Sequence, residues 1–109
     1  MSSSQLLKGI LEGCLLSIIS KGETYGYEMI EKLAANGFHM VKEGSIYPLL
    51  LRMKKEGLVT ARGKETPSGG PKRKYYYITE KGIEELDLFK VRWNEVSSGV
   101  NQLLEEEKR

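Results

Sequence analysis

Cysteine is nearly absent from this chain. Cys14 is the only one among 109 residues, which excludes an intrachain disulfide and fits a reducing compartment. Cys14 lies in an apolar stripe and is expected to be a buried, inert thiol rather than a redox sensor. His39 is the single histidine, so the His/Cys spacing of a metal site is missing. There is no Gly-rich phosphate loop and no nucleophile with a paired histidine. The chain is therefore not expected to be an enzyme, and no metal or cofactor is expected. The longest apolar runs fall far short of the roughly 20 residues that a membrane span needs. Residues 1–5, Met-Ser-Ser-Ser-Gln, lack the basic stretch of a secretory signal, and a cytoplasmic protein is expected. A chain this short suits one domain and buries a limited core, so an added interface would help its stability.

What is present is charge in one place. The formal net charge is only +2, but the middle of the chain is strongly basic. Residues 52–79 hold eight Lys/Arg (Arg52, Lys54, Lys55, Arg62, Lys64, Lys72, Arg73, Lys74) against Glu56 and Glu65. The segments on either side are net acidic. A local excess of this kind is what a polyanion-binding surface needs, although an isolated run would more often be a solvated face.

Apolar spacing divides the chain into elements. Leu6/Leu7, Ile10/Leu11, Cys14/Leu15 and Ile18/Ile19 predict a helix over residues 5–20 with a broad apolar face. Thr24 is the expected N-cap of a second helix with Met29, Ile30, Leu33 and Ala34 on its core side, ended by Asn36-Gly37. A third helix is predicted over about 43–56, with Ile46, Leu49/Leu50 and Met53 inward. Ser45 is its candidate N-cap, which would put Pro48 in the first turn. The period then shortens. Residues 58–62 and 74–79 read as two strands around the turn-forming run Thr66-Pro67-Ser68-Gly69-Gly70-Pro71. Thr79 should cap a last helix reaching residue 106, before a frayed end at 105–109. In that helix Leu86, Phe89, Trp93, Val96, Val100 and Leu103 form a seam of alternating three- and four-residue steps. The expectation is a mainly α chain with a small two-stranded β wing: a winged helix-turn-helix over 1–79 and a C-terminal dimerisation helix over 80–109.

In a helix-turn-helix the later helix enters the major groove. Here that helix offers Ser45, Tyr47, Arg52 and Lys55 outward, and the wing offers Lys64, Lys72, Arg73 and Lys74. Arg52 could instead pair with Glu56 one helical turn on. Tyr75, Tyr76 and Tyr77 are expected to pack the strands rather than stack bases.

Four stretches carry a family resemblance: Tyr25-Gly26-Tyr27-Glu28; Gly44-Ser45-Ile46-Tyr47-Pro48-Leu49-Leu50; Glu56-Gly57-Leu58-Val59; and the run from Gly69 to Gly82. In this order and spacing, over roughly residues 5–82, they resemble the PadR family of bacterial transcriptional regulators, in particular its small subfamily with a single C-terminal helix, which includes multidrug-binding repressors. The resemblance implies a winged helix-turn-helix that dimerises through its C-terminal helix and binds double-stranded operator DNA. It implies DNA contact by Tyr47 and Lys72–Lys74, and places Tyr25 and Gly26 near the helix-turn-helix, which makes Tyr25 a further candidate DNA contact. Lys42 departs from the pattern where the family often has a serine cap, as does Leu51 where a basic residue is common. Trp93 sits where the multidrug-binding members have a tryptophan. It could anchor the dimer seam or stack a small planar apolar ligand between subunits. A protein-interaction adaptor with the same fold is the other reading, and the basic wing argues against it.

Overall fold

A computed structural model of the chain describes residues 2–106. Its elements are α1 (Ser3–Leu7), α2 (Leu11–Ser20), β1 (Thr24–Tyr25), α3 (Gly26–Ala35), α4 (Glu43–Lys55), β2 (Val59–Lys64), β3 (Arg73–Ile78) and α5 (Glu80–Glu106). The helix expected over 5–20 is two helices. Ser2 opens the first with a reciprocal cap, its Oγ accepting from the Gln5 N–H while Gln5 Oε1 accepts from the Ser2 N–H. The chain turns at Lys8-Gly9-Ile10, where the Ile10 N–H donates to the Leu7 carbonyl at 2.9 Å. Leu7 and Leu11 are buried on either side of this turn, so the break serves the same core that a continuous stripe would have met.

Thr24 is not the N-cap of α3. It lies in β1, paired with Tyr76, and its hydroxyl donates to Glu28 Oε1 at 3.2 Å. Extended Tyr25 caps α3 with no side-chain hydrogen bond. Nor is Ser45 the N-cap of α4. The chain leaves the extended conformation at Lys42, so the helix begins at Glu43 and Ser45 is in its first turn. Pro48 is thus deeper in the helix than expected. The carbonyl it leaves without a helical partner, that of Gly44, belongs to an exposed residue that water can reach.

The two wing strands form as expected and gain a third. The antiparallel sheet has the order β1-β3-β2, with Tyr25 opposite Tyr75 and Lys64 opposite Arg73. Its inner face delivers Val59 and Tyr76 to a core with Leu15, Leu16, Ile19, Met29, Ile46, Leu50 and Met53. An isolated hairpin would be marginal; β1 ties this one to the start of α3. Thr79 caps α5 as expected, accepting from the Gly82 N–H at 3.0 Å and donating to the Gly57 carbonyl at 2.6 Å. Gly82 permits that junction, because a Cβ there would lie 2.2 Å from the Leu58 carbonyl oxygen. Glu105 and Glu106 continue α5, and residues 107–109 of the expected frayed end lie outside the described residues. The long axis of the molecule measures 60 Å.

Candidate nucleic-acid interface

Helix α4 buries Ile46, Leu50 and Met53 and turns Ser45, Tyr47, Leu51, Arg52, Lys54 and Lys55 outward. Tyr47 is held at both ends. Its hydroxyl donates to Glu43 Oε2 at 2.9 Å, one turn back on the same helix. That bond favours the protonated phenol and raises the Tyr47 pKa. Its ring closes over the start of α3, where a Cβ on Gly26 would lie 2.7 Å from the Tyr47 oxygen. A side chain at position 26 would push the tyrosine ring from this seat.

Arg52 is exposed but does not pair with Glu56. Its guanidinium donates to Glu12 on α2, forty positions away. Lys64 is likewise engaged: its ammonium donates to both oxygens of Glu23, at 2.6 and 2.7 Å, and sits 4.9 Å from the centre of the Tyr75 ring. The Lys64 hydrogen bond holds the Glu23 carboxyl below the ordinary carboxylate range. Thus Tyr47, Arg52 and Lys64 each have a carboxylate partner within the chain. Lys72, Arg73 and Lys74 are exposed, and among the described residues none of them forms an ion pair. Arg73 lies 4.5 Å from the centre of the Tyr25 ring. The structure therefore brings Tyr25, Lys64 and Arg73 together on the sheet, sets Tyr47 beside them at the start of α3, and turns Arg52 toward α2.

The three carboxylates were missed in the sequence. Glu43 was legible, standing four residues before Tyr47 on one helix. Glu12 and Glu23 are some forty positions from their partners, and no local pattern announces them. Of the three tyrosines of β3, Tyr76 is buried in the core and Tyr75 and Tyr77 are half-buried on the outer face. His39 is exposed, and among the described residues no cluster of acidic, histidine or cysteine side chains could hold a metal.

The seam on α5 divides. Leu86 is buried in the core of the chain, and Phe89 is half-buried against that core on Gly13. The reason is α2, which lies against the first half of α5. Trp93, Val96, Val100 and Leu103 stay between 44% and 64% exposed. Ile10, Glu12, Leu16, Phe89, Trp93 and Val96 line a groove of about 330 Å³ between α2 and α5.

The model of the PadR-like family of transcriptional regulators matches residues 15–88. This chain belongs to the PadR-like family. A PadR-like transcriptional regulator from Bacillus cereus has a similar crystal structure, 56% identical, with a TM-score of 0.83 over 96% of this chain and 99% of that one. A Streptococcus transcriptional regulator is 38% identical, with a TM-score of 0.79 over 91% of this chain and 96% of that one. The negative transcriptional regulator PadR of Bacillus subtilis is 32% identical over 76% of this chain but only 46% of its own length. A PadR-like chain is a DNA-binding regulator and not an enzyme, which decides against the adaptor reading. No helix among the described residues is long and apolar enough to cross a membrane.

Proposed function

We propose that this PadR-like regulator represses transcription as a cytoplasmic homodimer, reading operator DNA with residues 1–79 and dimerising through 80–109. The observation that carries the DNA reading is the unpaired Lys72-Arg73-Lys74 cluster, on a wing whose sheet also anchors the helix before α4. Helix α4 would lie in the major groove with Ser45 and Tyr47 near its leading end, and the wing cations would take backbone phosphates or a narrow minor groove. Tyr47 can offer its hydroxyl to a phosphate by giving up Glu43. Arg52 and Lys64 would have to leave a carboxylate first, so they are weaker contacts than their charge suggests.

An exposed apolar seam supports the dimer reading. Trp93, Val96, Val100 and Leu103 are exposed on one seam of the far half of α5, and monomers rarely leave such a patch uncovered. A two-fold pairing of these helices, with the partner's α5 also against α1 and α2, would cover it. Two α4 helices about 34 Å apart would then meet successive major grooves.

Replacing Lys72, Arg73 and Lys74 with alanine tests the DNA reading. Each lost phosphate contact should flatten the dependence of log K on log salt by about 0.9, so up to about 2.7 per subunit. Affinity should fall for all duplex sequences alike. An unchanged slope would leave the cluster a solvated face.

A ligand that relieves repression is a second reading, favoured by the groove beneath Trp93. Its indole is 44% exposed, and Glu12 and Glu85 are among the lining residues. A planar, cationic aromatic would stack on the indole, and it would release DNA only by preferring a spacing of the α4 helices that DNA does not. Planar dyes that quench Trp93 fluorescence and release bound duplex would support this. Quenching no greater than in a Trp93→Leu protein with a reporter elsewhere would make Trp93 an interface anchor only.

A further inference from the structure

We propose that Tyr25 serves DNA binding as the seat of Arg73 and makes no DNA contact of its own; this rests on the wing reading above. Strand register places Tyr25, Tyr75, Arg62, Lys64 and Arg73 on the outer face of the sheet, opposite the face that buries Val59 and Tyr76. Three cations there lie over three rings: Arg73 over Tyr25 at 4.5 Å, Lys64 over Tyr75 at 4.9 Å and Arg62 over Tyr77 at 5.5 Å. The Tyr25 ring is itself held edge-on by Tyr75, with centroids 5.2 Å apart and planes at 64°.

Tyr25 differs from the other two rings in where it belongs. Tyr75 and Tyr77 are on the wing. Tyr25 is the residue at which the chain leaves the sheet and enters α3, the helix that packs on α4. A guanidinium stacked on Tyr25 is therefore referenced to the helix-turn-helix rather than to the hairpin that carries it. Arg73 and Lys64 stand opposite each other in the sheet, but they are held by unlike means. Glu23 holds Lys64 and neutralises it. A ring holds Arg73 and leaves its charge whole. A flexible arginine loses rotamer freedom when it captures a phosphate, and a side chain already restrained loses less. The ring thus confers pre-organisation without charge cancellation, which is what a phosphate contact requires.

The test uses the full-length chain and a mixed-sequence duplex of about 30 base pairs, spanning three helical turns, titrated at several salt concentrations. Tyr25→Phe keeps the ring and should bind as the wild type does. Tyr25→Leu should bind about two- to fivefold more weakly for each subunit engaged, the worth of one exposed cation–π contact. Arg73→Ala should bind more weakly still and flatten the salt slope by about 0.9 per subunit. The double variant Tyr25→Leu/Arg73→Ala should bind no more weakly than Arg73→Ala alone. Three results overturn the proposal: a Tyr25→Phe loss equal to that of Tyr25→Leu, which assigns a direct hydroxyl contact; an undiminished Tyr25→Leu effect in the Arg73→Ala background; or no Tyr25→Leu effect at all. If Arg73→Ala changes neither affinity nor slope, it is the wing reading that fails. A nuclear magnetic resonance measurement on the wild type covers the case in which Tyr25→Leu does not fold. The Arg73 side-chain protons should be shifted upfield by the Tyr25 ring current, and unshifted positions would overturn the seat.

Discussion

Leu86 and Phe89 in the first half of α5, and Trp93, Val96, Val100 and Leu103 in the second, continue one spacing of three- and four-residue steps. Nothing in the spacing separates them. Yet Leu86 is buried and Phe89 packs on Gly13 of α2, while the other four remain 44–64% exposed. A seam of this kind records which side of a helix avoids water, and leaves open what covers it. The near half of α5 packs into the fold of the chain itself; the far half stays exposed apolar surface.

The largest effects belong to the near half. Gly82→Ala forces a Cβ against the Leu58 carbonyl oxygen and the Ile78 side chain, at 2.2 and 2.7 Å. It should destabilise the subunit by about 3 kcal/mol, the upper range for overpacking. Leu86→Ala, which empties a core position, should cost about 2–5 kcal/mol. Urea unfolding followed by circular dichroism measures both. If either variant instead unfolds with the wild type and only dissociates, the near half is interface after all.

Changes in the far half should do the reverse. Val96→Glu combined with Val100→Glu puts charge on two exposed seam positions and should leave the subunit helical. Self-association should weaken by about a hundredfold, equivalent to about 2.8 kcal/mol. Sedimentation at micromolar concentration would report a folded monomer. An undisturbed dimer would show that the seam is not what joins the subunits.

The same contrast between covered and open surface separates the cations. Freeing Lys64 with Glu23→Gln should strengthen binding to any duplex modestly and steepen the salt slope by up to about 0.9 per subunit. Acid should act in the same direction. Because Lys64 depresses the Glu23 pKa, the ion pair is complete above the ordinary carboxylate range and is lost as pH falls through the lowered value. Its small contribution to folding fades in that window, and Lys64 is released. Salt slopes measured on both sides of the window check the sign. The smallest effect belongs to Arg52, whose partner Glu12 is already in place. Arg52→Ala should move the thermal midpoint little, since exposed pairs contribute little, and should alter the salt slope less than Lys72→Ala does.

Much of this architecture was legible in the sequence because it is local. Thr79 sits immediately before an acidic first turn and three residues before Gly82, and it does cap α5. The β-branched and aromatic runs on either side of Thr66–Pro71 did become paired strands. Where local reading failed, a neighbour distant in sequence intervened. Two residues, Thr24 and Tyr25, are too few to display the alternation of a strand, so β1 was invisible until Tyr75 and Tyr76 supplied its partner edge. Ser45 has the chemistry of a cap, but the chain turned helical two residues earlier, at Glu43.

A winged helix-turn-helix regulator of the PadR-like family, with a basic wing and a long apolar-seamed tail, is legible from the residues alone. Element type follows from residue period, and net charge from composition, so neither needs a folded chain to be read. Which cations have a carboxylate partner, and which half of the seam stays exposed, is set by the tertiary structure. Glu12 reaches Arg52, Glu23 reaches Lys64 and α2 reaches Phe89 across forty or more positions. Over such separations nothing along the chain correlates two residues, and their meeting is set by how helices and sheet pack around the common core.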